Sequence, residues 1–161
     1  MAYEGAAREL VRGLKFHGAR ALADPMAALI VANAPEELLP HTADARPQEL
    51  VPVPLHPARR RRRGFNQAVI IAAALARRSR LTVTDCLARS GPQGTQVGRR
   101  RSERLAAAPG SIRTHGPIPA RVILVDDVAT TGATLASCAR ALRAAGAREV
   151  RAVTFARTLG R

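Results

Sequence analysis

The sequence contains no tryptophan, one tyrosine and three phenylalanines in 161 residues. A core of stacked rings is excluded, so Ala, Val, Leu and Ile must fill it, and these supply most of a 47% hydrophobic content. Cysteine is equally scarce. Cys86 and Cys138 lie far apart and form no Cys-x-x-Cys pair, which supports neither a disulfide framework nor a zinc ribbon and fits a reducing compartment. The apolar run around Val69 to Ala76 is far short of the roughly 20 residues needed to cross a bilayer. The start, Met1-Ala-Tyr-Glu, has no basic stretch leading into an apolar one, so no targeting segment is expected. These absences lead to the expectation of a soluble, cytoplasmic protein. Gly-x4-Gly-Lys-Ser/Thr and Gly-x-Gly-x-x-Gly are also missing, which removes the usual P-loop and dinucleotide signatures.

Lysine is nearly absent as well. Lys15 is the single lysine among 26 basic residues, and arginine carries a net charge of +14. The guanidinium presents a planar fork of donors that matches phosphate and carboxylate. An excess this large favours a polyanionic partner, either a phosphorylated metabolite or a nucleic acid. Coding bias toward alanine and arginine gives a similar composition, and many of the arginines are scattered.

The length fits one domain of ordinary size, able to bury roughly 70% of its unfolded surface without a metal or disulfide. Neither an internal repeat nor a dividing linker is visible. Ala7, Leu10, Val11 and Leu14 recur at helical spacing and predict a helix over 3–14, ended by Gly13 or Gly18. A second helix is expected over 19–32, with Pro25 in its first turns. Residues 33–47, with three prolines, read as a loop. Leu50-Val-Pro-Val-Pro-Leu55 reads as a strand whose prolines suit a strand end or an edge. His56 to Gly64 reads as a basic turn, and Asn66 as the cap of a helix running to about Arg78. Leu81 to Thr84 is a short strand. Residues 90–101, with Gly91, Pro92, Gly94 and Gly98, form a flexible basic loop, and Ser102 to Ala108 a short helix. Arg121-Val-Ile-Leu-Val-Asp126 suits a parallel strand buried on both faces. A helix over 131–145 and a strand over 150–155 complete a βαβ unit with a right-handed crossover.

The chemistry concentrates where that strand ends. Ligands of open parallel sheets bind at the carboxyl ends of the strands, where Asp126 and Asp127 emerge. Ala129-Thr-Thr-Gly-Ala-Thr134 then leads into a helix, whose first N–H groups and positive dipole end suit phosphate. Gly132 lets the backbone approach a ligand closely, and Thr130, Thr131 and Thr134 add hydroxyl donors. Carboxylates repel phosphate at contact distance. Asp126 and Asp127 are therefore expected to accept from ribose hydroxyls or to attract magnesium held by a diphosphate. A 5-phosphorylated ribose carrying a diphosphate satisfies all these groups together. An acidic pair in this place also serves simply to cap the next helix.

Val122–Thr134 resembles the phosphoribosyl-pyrophosphate signature of type I phosphoribosyltransferases over all thirteen positions. Val51-Pro-Val-Pro-Leu-His-Pro57 followed by Arg63-Gly-Phe-Asn-Gln-Ala68 resembles the ComF family of competence-associated homologues. The early segment from Tyr3 to Gly18 is similar to that family too, as are Gln96-Val-Gly98 and Glu103-Arg104. The resemblance runs from about residue 3 to 155. It implies an α/β fold: a parallel sheet flanked by helices over 48–157, with a small helical hood over 1–45. It also implies phosphoribosyl pyrophosphate with Mg²⁺. Asp126 and Asp127 would hold the ribose, and Ala129, Thr130, Thr131, Gly132, Ala133 and Thr134 the 5-phosphate. His56, Arg63 and Asn66 would face the diphosphate. Gln96, Arg99, Arg100 and Arg101 would belong to a mobile cover, and no protein group would ligate the metal directly. Family members commonly begin with a four-cysteine zinc ribbon, which this sequence lacks, either through loss or because the true start lies upstream. Threonine at position 130, where some relatives carry an acid, supplies no general base.

Two functions follow. One is transfer of ribose 5-phosphate to a nitrogen acceptor. The hood, which would select that acceptor, holds few side chains suited to stacking on a base. The other is a non-catalytic competence factor that binds single-stranded DNA or senses phosphoribosyl pyrophosphate, working with DNA-uptake proteins. Four aromatic residues are few for a stacking platform. A homodimer is common among similar folds.

Overall fold

The computed structural model of the protein describes residues 1–16, 18–39, 47–89 and 112–158. In chain order these form α1 (Gly5–Phe16), a 3₁₀ turn (Arg20–Leu22), α2 (Ala23–Asn33), β1 (Glu49–Pro52), α3 (Pro57–Arg63) and α4 (Gln67–Ser79). There follow β2 (Thr82–Val83), β3 (Leu87–Arg89), β4 (Ile112–Thr114), β5 (Arg121–Ala129), α5 (Ala133–Ala144) and β6 (Glu149–Arg157). The expected loop 90–101 and helix 102–108 lie outside the described residues.

The apolar run at Val122 does form an interior strand. The sheet order is β2-β1-β5-β6 with every pair parallel. Alternate residues of β5 enter two separate cores, as a strand buried on both faces must. Ile123 and Val125 join Leu50, Ile71, Leu75, Val11, Met26 and Phe155 under α1, α2 and α4. Val122 and Leu124 join Val51, Cys138 and Leu142 under α5 and the two-stranded β3–β4 ribbon. Helices therefore cover both faces. The connection from β1 through α4 runs outward to β2, while that from β5 through α5 runs the opposite way to β6. The chain reverses its winding between β1 and β5, and an open crevice is expected at the carboxyl ends of those two strands.

Local chemistry accounts for most element boundaries. Asn66 caps α4: its side-chain oxygen accepts from the Ala68 N–H at 3.1 Å. Pro25 lies in the first turn of α2 without breaking it. Two expectations change. Gly13 does not end α1. It lies inside it, because a Cβ there would sit 2.6 Å from the Leu22 side chain, so glycine lets the 3₁₀ turn pack close. The basic turn at 56–64 is a helix. His56 caps it by accepting from the Ala58 N–H, Pro57 opens it and Gly64 closes it. Pro52, as expected, stands at the end of its strand, which is an interior one. The Val53 N–H donates to Val125 of β5 at 2.9 Å, while the Leu50 carbonyl accepts from Thr84 on the other side. By alternation Pro52 faces that second side, beyond the last residue of β2, so its missing N–H leaves no ladder bond unmade. The β3–β4 ribbon was not expected from sequence.

Candidate functional site

β5 outlasts its neighbour. Its pairing with β1 stops at Pro52↔Val125, but its pairing with β6 continues through Asp126↔Thr154 to Ala129↔Arg157. Asp126 and Asp127 thus leave the sheet on the β1 side while the β6 ladder still fixes their backbone. Alternation turns them to opposite faces. Asp127 points to the α1 side, where Lys15 Nζ lies 2.5 Å from its Oδ2 as a close charge contact outside hydrogen-bond geometry. Asp126 points to the α5 side, and its Oδ1 accepts from the Asp127 N–H at 2.8 Å.

The crevice between β1 and β5 is a cleft of about 280 Å³. Its walls bring together Lys15 from α1, Arg59 and Arg63 from α3, Asn66 and Gln67 at the start of α4, and Arg89 from β3. Asp126, Asp127, Thr130 and Thr134 close the other side. Four cationic side chains face two carboxylates. Of the thirteen signature positions, Val128, Thr130 and Thr134 line the cleft with the acids. Ala129 ends β5, and the Thr131 hydroxyl accepts from the Ala133 N–H at 3.3 Å. Gly132, at φ 74°, makes the left-handed turn into α5 that L side chains resist.

Of the residues expected at the diphosphate, Arg63 lines the cleft directly. Asn66 lines it too, but its amide is engaged on both sides: Nδ2 donates to the Val53 carbonyl at 2.9 Å while Oδ1 caps α4. It ties the end of β1 to the start of α4. His56 caps α3 and is not among the residues lining the cleft. Gln96, Arg99, Arg100 and Arg101 lie outside the described residues.

Lys15, Gln67 and Arg89 line the cleft but were not singled out from sequence as site residues. Gln67 is 3% exposed, and its Nε2 is buried without a hydrogen-bond partner, a costly state in the interior. The sequence signal is that Gln67 falls on the same face of α4 as Ile71, Ala74 and Leu75, where an apolar residue would be expected.

Electrostatics single out the same groups. Burial, then the charge of Asp127, push the Asp126 carboxyl up to about 7, while the Asp127 N–H and Lys15 oppose the rise. Burial works against the charge of Arg63, as do Arg59 and Arg62, and Asp127 offsets them. The Cys138 thiol, buried under α5, is pushed up to about 12 by burial and then by Asp126. It packs in the core beside Val122, Leu124 and Leu142.

The model of the phosphoribosyl transferase domain matches residues 61–161. Competence protein ComFC of Streptococcus pneumoniae is 33% identical over 110 residues, covering 68% of this chain and 48% of that protein. Competence protein F of Haemophilus influenzae is 34% identical over 117 residues, covering 69% and 51%. The chain spans about half the length of the curated relatives it matches. Among solved structures, glutamine phosphoribosylpyrophosphate (PRPP) amidotransferase from B. subtilis aligns with a TM-score of 0.52 at 18% identity, over 83% of this chain and 26% of that one. A hypoxanthine phosphoribosyltransferase from Staphylococcus aureus aligns with a TM-score of 0.50 at 14% identity, over 82% and 62%. These likenesses confirm the type I phosphoribosyltransferase fold. With the domain model matching more than half of the chain and competence proteins at about one-third identity, the chain belongs to the ComF family of phosphoribosyltransferase homologues.

Proposed function

We propose that the cleft binds phosphoribosyl pyrophosphate and that the protein transfers ribose 5-phosphate from it to a nitrogen acceptor. The observation that carries this reading is the meeting, at one sheet edge, of two carboxylates, a Thr/Gly turn opening α5 and an arginine cluster beside an unpartnered amide. Each group fits one part of the ligand. Asp126 and Asp127 take the two ribose hydroxyls. Thr130, Thr134 and the backbone from Ala129 through Thr131, Gly132 and Ala133 take the 5-phosphate. Arg63, with Arg59 and Gln67 Nε2, takes the diphosphate, while His56 and Asn66 hold the ends of the connection that presents them. In the transition state the diphosphate gains negative charge, which these donors stabilise more than they stabilise the ground state.

Two carboxylates, one already facing Lys15, are too few to hold Mg²⁺ alone. The residues fit an ion carried mainly by ligand oxygens, which would neutralise the leaving group. Isothermal calorimetry with phosphoribosyl pyrophosphate and Mg²⁺ tests the site. Wild type is expected to bind in the micromolar range and an Asp126→Asn/Asp127→Asn variant not to bind. A folded wild type that fails to bind overturns the reading.

The second reading is a non-catalytic factor that binds single-stranded DNA, working with DNA-uptake proteins and possible as a homodimer. One observation favours it: Arg59 to Arg62 are consecutive and exposed on α3. The names of the related competence proteins point the same way. Backbone binding of this kind loses affinity steeply with salt.

A further inference from the structure

Lys15 stands in the last turn of α1, and its Nζ lies 2.5 Å from Oδ2 of Asp127 near the end of β5. The pair is enclosed, with side chains 22% and 9% exposed. Yet Asp127 Oδ2 is buried without a hydrogen-bond partner. An ion pair taken out of water is stabilising only when hydrogen bonds also satisfy its remaining lone pairs. This pair supplies countercharge without that satisfaction, at a carboxylate that lines the cleft. The end of α1 is tied to α3 as well. The Arg63 guanidinium lies 5.6 Å from the ring centre of Phe16, the residue after Lys15, and Lys15 and Arg63 line a neighbouring cavity together. Lys15 therefore stands between Asp127 and the arginine cluster. Its flexible four-carbon stem lets the ammonium swing from one to an anion held by the other.

We infer that Lys15 holds the ribose position of the empty cleft and gives it up only when a diphosphate arrives, so that the cleft takes the two halves of its ligand together. The inference rests on the proposed binding of phosphoribosyl pyrophosphate. A ribose hydroxyl donates poorly to a carboxylate that an ammonium already contacts, because the ammonium offsets its charge and crowds its oxygen. A diphosphate beside Arg63 and Arg59 carries more charge than one carboxylate and attracts Lys15 more strongly. Once the ammonium has moved, Asp127 faces the ribose as a free acceptor. The 5-phosphate belongs to the Thr130–Thr134 turn, across the cleft from α3, and does not draw the ammonium away. A ribose phosphate that has lost its diphosphate thus meets a cleft still occupied by Lys15. The exchange selects the intact donor over its hydrolysis product, ribose 5-phosphate.

The two halves are titrated separately and together by calorimetry. The probes are inorganic pyrophosphate and 1,4-anhydroribitol 5-phosphate, a sugar phosphate with no C1 hydroxyl to crowd its neighbour. Mg²⁺ is left out, since it would bridge the halves by itself. Two anions that share a cleft should oppose each other. With the Lys15 exchange, pyrophosphate instead tightens the sugar phosphate by about fivefold or more, and the sugar phosphate tightens pyrophosphate by the same factor. Lys15→Met should abolish or reverse this coupling, and Lys15→Arg, which keeps a cation, should retain most of it. A pair that only stabilises the fold would lower the melting temperature of Lys15→Met and leave the coupling unchanged, a result that overturns the inference. Independent or opposed binding of the halves to wild type also overturns it, whether or not a variant folds, and leaves the proposed ligand standing. Binding of neither half, nor of phosphoribosyl pyrophosphate with Mg²⁺, to the folded wild type overturns the proposed function and this inference with it.

Discussion

Replacing Gln67 by methionine separates a ligand-binding role from a structural one, because the two predict opposite signs. Methionine keeps the unbranched shape of the side chain and removes the amide. Gln67 is almost completely buried, and its Nε2 has no partner. An unsatisfied buried donor costs about 1–3 kcal/mol. Relieving it should raise the stability of the ligand-free protein by about 1–2 kcal/mol, which for a domain of this size is roughly 2–8 °C in Tm. On the proposed function, the same change removes a donor to the diphosphate. A hydrogen bond to a charged group contributes about 1.5–3 kcal/mol, so affinity for phosphoribosyl pyrophosphate should fall roughly 10- to 150-fold. Thermal denaturation without ligand and calorimetry with it measure the two quantities on the same samples. A variant that melts lower than wild type and binds as tightly refutes the reasoning, since it would show that the amide is satisfied within the protein and does not reach the ligand.

Three further changes probe the rest of the cleft. Lys15→Met leaves the Asp127 carboxylate without its cation. Lys15 is partly exposed, so the expected loss in chemical denaturation is about 1–3 kcal/mol, below the 3–5 kcal/mol of a fully buried pair. Gly132→Ala places a Cβ at φ 74° with nothing within 4 Å of it. Only backbone strain opposes it, at about 1–2 kcal/mol, with a further loss of ligand affinity where the turn meets the 5-phosphate. The third change concerns pH. The folded protein holds the Asp126 proton up to about 7, against an ordinary value of 3.8. Between those values the native state binds more protons than the unfolded chain, so this group's contribution is full below about pH 4 and is lost as pH rises through 7. Asp126→Asn should flatten that part of the stability profile, and an unchanged slope would show that the carboxyl titrates normally.

The parts of this fold that the sequence reveals are those written in neighbouring residues. Val122 to Val125 declare a buried parallel strand. Asn66 caps its own helix, and Gly132 turns the chain toward the helix that follows β5. The start and stop signals of α3 were equally local: His56, Pro57 and Gly64 bracket it. They were masked by five arginines, which show no helical periodicity because α3 buries none of its residues. The β3–β4 ribbon is different. It pairs Leu87 with Thr114 across a long separation, and no local pattern specifies such a contact. The Lys15–Asp127 pair spans more than a hundred residues, and its only trace in the sequence is one lysine among many arginines.

The long-range contacts also gather several costs in the cleft. β5 brings Asp126 into an enclosed position beside a second carboxylate, and its affinity for protons rises. α3 brings Arg63 beside two other arginines with partial burial and one offsetting carboxylate. α4 turns the Gln67 amide inward with nothing to donate to. Left alone, each arrangement disfavours the folded state, and stability alone would favour an apolar residue at position 67. On the proposed function, one ligand would relieve all three. A polyanion supplies countercharge for Arg63 and an acceptor for Gln67, and ribose hydroxyls give the carboxylates donors that favour their ionised form. Costs at Asp126, Arg63 and Gln67 that a single molecule would remove support the proposed binding site beside the signature residues.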